Sequence, residues 1–130
     1  MKNTKYSLAS DSWGEEEISA INDVVKSNKF TMGPKVKKFE VEFANYHKAD
    51  YAIMVNSGSS ANLLMIASLL YSENYDLKKG DEVIVPAVSW STTYYPVNQC
   101  GLKLVFVDIN KNTLNINPKE VIKAINPKTK

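Results

Sequence analysis

Three short apolar runs constrain this chain more than anything else in it. Tyr51-Ala52-Ile53-Met54-Val55, Val83-Ile84-Val85 and Leu104-Val105-Phe106-Val107 carry almost no polar residue. Strands that are apolar on both faces belong in a parallel sheet covered on both sides; a sheet with one wet face would show alternation instead. Parallel neighbours need crossover connections, and helices usually supply them. The residues between the runs have that character.

Ala61 to Tyr71 is apolar on most sides and reads as a helix buried under its neighbours. Glu73 to Gly80 is a polar loop. Ser91 to Gln99 reads as a short helix or turn interrupted by Pro96, and Lys103 to Ile109 as the third strand. Asn117-Pro118 opens a last helix with Val121, Ile122 and Ile125 on one face.

Two helices precede these units. Ser12 lies three residues before Glu15, the spacing of a capping box. Glu15-Glu16-Glu17 puts negative charge where a helix dipole favours it. Ile18, Ile21, Val24 and Val25 follow at helical spacing, and that helix should end near Ser27-Asn28. Pro34 suits the first position of a second helix, with Gly33 before it. Val36, Phe39, Phe43 and Tyr46 share one face of that helix, and lysines and glutamates solvate the other. Residues 1–11 are polar and read as loose or docked elsewhere. The fold class expected is α/β: a parallel-rich sheet with helices on both faces, preceded by two N-terminal helices.

Composition narrows the function. At 130 residues there is room for one domain and little more. Net charge is +2, and all sixteen basic residues are Lys. A nucleic-acid reader normally uses Arg forks on phosphate and guanine, so no nucleic-acid partner is expected. Cys100, the single cysteine, reads as a small buried hydrophobe. His47 is the one histidine, and no ligand spacing for a metal exists. Met1-Lys2-Asn3-Thr4-Lys5 leads into no long apolar run, unlike a signal peptide. Leu63 to Tyr71, broken by Ser68, is too short to span a bilayer. The expectation is a soluble chain in a reducing, cytoplasmic location with no membrane partner.

The segment with chemical character is Val55-Asn56-Ser57-Gly58-Ser59-Ser60-Ala61, which joins a strand to a helix. Small residues let a ligand approach the backbone closely. The first amides of the helix, with its dipole, suit a phosphate, and the three serines add hydroxyls. Without Gly-Lys-Ser/Thr it is no P-loop, and with one glycine it is no dinucleotide fingerprint. Taken alone, the segment fits a Ser-rich cap on an ordinary unit equally well. Trp90 leaves the next strand at its C-terminal end, the edge where open parallel sheets bind ligands. An aromatic plane there can stack on a flat heterocycle or simply pack.

Five ordered matches give these segments a resemblance. Gly14-Glu15-Glu16-Glu17-Ile18, Phe30-Thr31-Met32-Gly33-Pro34-Lys35-Val36, Ser57-Gly58-Ser59-Ser60-Ala61, Gly80-Asp81-Glu82-Val83-Ile84-Val85-Pro86 and Val105-Phe106-Val107-Asp108 follow one another. From about Ser12 to Lys130 the chain resembles the N-terminal part of the DegT/DnrJ/StrS-type sugar aminotransferases, which use pyridoxal 5'-phosphate (PLP). The resemblance implies that Ser59 and Ser60 hold the PLP phosphate with backbone help from Gly58. It implies that Trp90 stacks on the pyridine ring and that Thr93 supports the ring or the substrate edge. Thr31 and Gly33 would line the substrate mouth, in a neighbouring subunit's site if the enzyme is the homodimer usual in the family.

PLP chemistry asks for two further parts: a Lys for the Schiff base and an acid paired with the pyridine nitrogen. In the family both lie downstream of the strand that would follow Lys130, so no catalytic residue is assigned in this chain. The expectation is therefore a single partial domain, residues 1–130, from the PLP-binding large domain. The complete protein would transfer an amino group from an amino acid, glutamate by preference, to a keto-sugar nucleotide in polysaccharide, lipopolysaccharide or deoxysugar synthesis. Two departures point elsewhere. The family loop commonly reads Ser-Gly-Thr-Ala-Ala, whereas Ser59-Ser60-Ala61-Asn62 follows Gly58 here, and a longer loop, Ser72 to Lys79, precedes Gly80. Both resemble the related sugar 3-dehydrases, which keep PLP but replace the Schiff-base Lys with His. Dehydration is the alternative to transamination, and an inactive fragment that cradles a phosphate is the second.

Overall fold

The computed structural model describes residues 11–130. The expectations for Met1 to Lys5 and for the polar N-terminal stretch up to residue 10 lie outside the described residues. The chain divides into two compact units, one ending at Met54 and the other running from Val55 to Lys130.

The first unit holds helices α1, Glu15–Ser27, and α2, Pro34–His47. Ser12 does not cap α1. The N-cap is Gly14, whose N–H donates to Glu17 Oε2 at 2.7 Å. The carboxylate three residues inside the helix thus satisfies the cap amide, and the box sits two residues later than the Ser12–Glu15 spacing suggested. That hydrogen bond also holds the Glu17 carboxyl below its usual range. Asn28 ends α1 in the left-handed region, φ 52°. Gly33 caps α2 with Pro34 in the first turn, as the sequence predicts. A Cβ on Gly33 would meet the Thr31 carbonyl at 3.1 Å, a contact tight enough that the turn would have to give slightly. On α2, Phe39, Phe43 and His47 stack in series, with ring centroids 5.4 and 4.4 Å apart. Among the described residues of this unit only Ala44 is buried.

Tyr51–Val55 is not the buried strand expected. It has no ladder, and Tyr51 and Ile53 are exposed. A strand exists by pairing, and among the described residues this segment has no partner strand. The Met54 N–H donates to Glu40 Oε1 at 2.9 Å.

The second unit is α/β. It runs α3, Gly58–Tyr71; β1, Glu82–Pro86; a 3-10 turn, Ser91–Thr93; α4, Tyr95–Gln99; β2, Lys103–Val107; and α5, Pro118–Ala124. The strands β1 and β2 pair in parallel, Glu82 opposite Lys103 through to Pro86 opposite Val107. The sheet therefore has two strands where three were expected. On the other edge of β1 the chain's last residues begin a second parallel pairing. The Glu82 N–H donates to the Lys128 carbonyl at 2.8 Å, and the Lys130 N–H to the Glu82 carbonyl at 3.0 Å.

Pro96 does not interrupt a helix. It occupies the first turn of α4, where its missing N–H costs nothing. β2 ends at Val107, and just beyond it Asp108 Oδ1 accepts the Ile109 N–H at 2.7 Å. The core is small: Val97, Cys100 and Leu102, with Ile66, Ala67, Leu70, Leu77, Val83 and Leu104 against it. Cys100 is the buried hydrophobe expected. Helix α3 is not buried all round. Ile66, Ala67 and Leu70 face this core, while Leu63, Leu64, Met65 and Leu69 are exposed, because the described residues cover one side of it only. Ile122 and Ile125 of the last helix are likewise uncovered.

Candidate functional site

Helix α3 starts at Gly58, three residues earlier than its apolar run suggests. Gly58, Ser59 and Ser60 are thus its first turn rather than a loop before it. Ser57 is the N-cap: its Oγ accepts the Ser60 N–H at 3.2 Å and donates to Ser60 Oγ at 3.2 Å. Sequence reading took Ser57 as one hydroxyl among three. The signal that separates it is its place three residues before Ser60, the reach of an N-cap. With Ser57 so engaged, the Ser60 hydroxyl keeps its own proton to give. The amides of Gly58 and Ser59 meet no protein acceptor among the described residues. Donors that the helix cannot use, at its positive end, are what an anion needs.

Gly58 adds a second observation. Its φ lies outside the left-handed region, and a Cβ built on it meets nothing within 4 Å. Neither backbone nor neighbours require glycine, so the space beside it is open to a ligand.

The second cluster follows β1. Ala87 N–H donates to the Val107 carbonyl at 2.8 Å and closes the sheet's end. The chain then swings out through Ser89 and Trp90 into the 3-10 turn. Trp90 is 76% exposed, so its ring is not spent on core packing. Thr93 is half-buried, and its Oγ1 lies 2.9 Å from Ser89 Oγ. Tyr94 Oη donates to the Pro86 carbonyl at 2.8 Å. Sequence reasoning missed both Ser89 and Tyr94, which brace the turn that carries Trp90 and Thr93.

Asn62 joins the two clusters. Its Nδ2 donates to the Thr92 carbonyl at 3.2 Å. Asn62 stands about 6 Å along the helix axis from Gly58, at the usual rise per residue. The helix start that holds Gly58, Ser59 and Ser60 and the turn that holds Trp90 and Thr93 thus both belong to the second unit and are tied by this bond. Thr31 and Gly33 belong to the first unit. There they line a concavity of about 530 Å³ with Phe30, Met32, Val24 and Met54. The residues at the helix start can bind an anion, and the exposed indole offers a plane for a ring beside it.

Known proteins are similar to this chain in sequence and fold. The GDP-4-keto-6-deoxy-D-mannose 3-dehydratase of Yersinia pseudotuberculosis is 54% identical over 125 residues, 96% of this chain and 32% of that protein. A dTDP-4-dehydro-2,3,6-trideoxy-D-glucose 4-aminotransferase of Saccharopolyspora spinosa is 35% identical over 119 residues, 90% of this chain and 29% of that protein. The solved structure of the E. coli 3-dehydratase, with hydrated PLP bound, superposes with a TM-score of 0.89 at 54% identity, over 97% of this chain and 32% of that one. This chain spans about a third of the length of these relatives. The DegT/DnrJ/EryC1/StrS aminotransferase family matches residues 11–130, the helix start and the Trp90 turn included. By that match, and by the likeness of its fold to the solved relatives, the chain belongs to the DegT/DnrJ/EryC1/StrS aminotransferase family.

Proposed function

We propose that this chain is the N-terminal portion of a PLP-dependent nucleotide-sugar 3-dehydratase. One observation carries the choice: identity to 3-dehydratases is 54%, against 35% to the 4-aminotransferase, over nearly the same stretch. The preference for transamination drawn from the sequence gives way to its alternative. The Ser59-Ser60-Ala61-Asn62 loop and the longer segment before Gly80 had already leaned that way.

The residues fit the cofactor. Gly58 and Ser59 amides and the Ser59 and Ser60 hydroxyls would bind the phosphate. Trp90 would lie against the ring, and Thr93 would support its edge through the Ser89 contact. Bound PLP supplies an electron sink for bonds broken at the neighbouring carbon. This chain's share is to bind, orient and keep the ring flat against the indole. Thr31 and Gly33 would border the sugar nucleotide, a GDP-linked 4-keto-6-deoxyhexose by likeness to the relatives, in the site of a homodimer. Glutamate would be the amino-acid partner; one solved relative holds a trapped PLP-glutamate geminal diamine.

The test is the product. The complete protein is supplied with PLP, glutamate and GDP-4-keto-6-deoxymannose, and the sugar nucleotide is weighed by mass spectrometry. Loss of the C3 hydroxyl is expected, with His at the position where aminotransferases carry the Schiff-base Lys. A product that has gained nitrogen, with Lys at that position, overturns dehydration and leaves the aminotransferase.

A further inference from the structure

We propose that Asn62 is a positioning residue that sets the ring-stacking turn against the phosphate-binding turn; this rests on the PLP reading above. The phosphate contacts and the ring contact come from segments about thirty residues apart. A ligand that bridges them is held in one pose only if the two segments keep a fixed offset. The Trp90 turn is closed on itself by Ser89 on Thr93 and tied to β1 by Tyr94 on the Pro86 carbonyl. Neither brace reaches α3. Among the described residues, the Asn62–Thr92 bond is the side-chain hydrogen bond that joins α3 to this turn. A carbonyl can only accept, so the amide nitrogen must face Thr92, and the orientation of the Asn62 head follows. The side chain is half-buried, which shields the bond from competing water. Asn62 sits one helical turn beyond Gly58 with its amide nitrogen given to Thr92, and it acts through the turn it holds.

The variants are Asn62→Leu, which removes the donor, and Asn62→Asp, which keeps the shape and sets an acceptor against a carbonyl. Each is made in the complete protein and titrated with PLP. Two readouts are taken: PLP affinity, and the visible circular dichroism of the ring at saturation. Loss of one partly buried hydrogen bond should weaken PLP about tenfold. At saturation the dichroic band should fall well below that of the parent protein, because the ring is no longer held in one orientation. A merely structural role would lower the melting temperature and leave the saturated band unchanged. An unchanged saturated band in both variants overturns the proposal. Parent protein that binds no PLP overturns the reading of the site, and this inference with it.

Discussion

At Gly58 the demands of the fold and of the ligand separate. A methyl group there meets open space, and the backbone is acceptable to any L-residue. Gly58→Ala should leave the fold unharmed or stabilise it by about 0.4–1 kcal/mol, through a less free unfolded chain. On the proposed reading PLP binding should weaken nonetheless, because the methyl would intrude where the phosphate would approach. Thermal melts and a PLP titration of the same variant check both halves, and a drop in stability would show that the fold needs this glycine. The same logic explains what could be read in advance at this scale. Gly58, Ser59, Ser60 and Trp90 were singled out because a family resemblance assigned them roles that small size and aromatic character alone left open. Asn62, Ser89 and Tyr94 were not. Their partners are backbone carbonyls or hydroxyls, and the Asn62 contact spans thirty residues, a distance over which sequence spacing carries no signal.

At the scale of elements, local chemistry decided what could be foreseen. The start of α2 follows from Gly33-Pro34, and the last helix from Asn117-Pro118, whose Asn117 Oδ1 accepts the Lys119 N–H. The two strands found fall where their apolar runs do. Tyr51–Val55 misled because a strand depends on a partner elsewhere, and the same apolar run without one is an exposed extended segment. Helix α1 shows how close alternatives compete: Ser12–Glu15 and Gly14–Glu17 share a spacing, and the carboxylate that reaches the cap amide prevails. That contact has a pH signature. Glu17 titrates below its usual value in the folded chain, so its contribution is full at neutral pH and fades as pH falls through the carboxylate range. Glu17→Gln should flatten that part of the stability–pH curve. Thermal melts of both proteins from neutral to acid pH test it; curves of identical shape would remove Glu17 from the account.

Across the described residues, burial is uneven. The second unit has Val85, Val97, Cys100, Leu102 and Val107 below one-tenth exposure, and the first unit has Ala44. Slow hydrogen exchange tracks such burial, because amides exchange through local openings. The amides of the β1–β2 ladder should exchange slowest, and those of the first unit should exchange far sooner. Exchange followed by mass spectrometry decides, and equal protection in both units would show that the first is held by contacts other than its own core.

The pairing at Glu82 has one more consequence. Beyond it, from Val83 to Pro86, that edge of β1 has no partner among the described residues, yet direction and register are already set by the bonds to Lys128 and Lys130. Among the described residues, Thr129 bridges that edge at Glu82. A strand that continues this pairing would run parallel to β1 and lie opposite Val83 onward, since Thr129 already stands opposite Glu82. A detached segment with that pattern, supplied as a separate polypeptide, should complement the chain, and one carrying the reverse sequence should not.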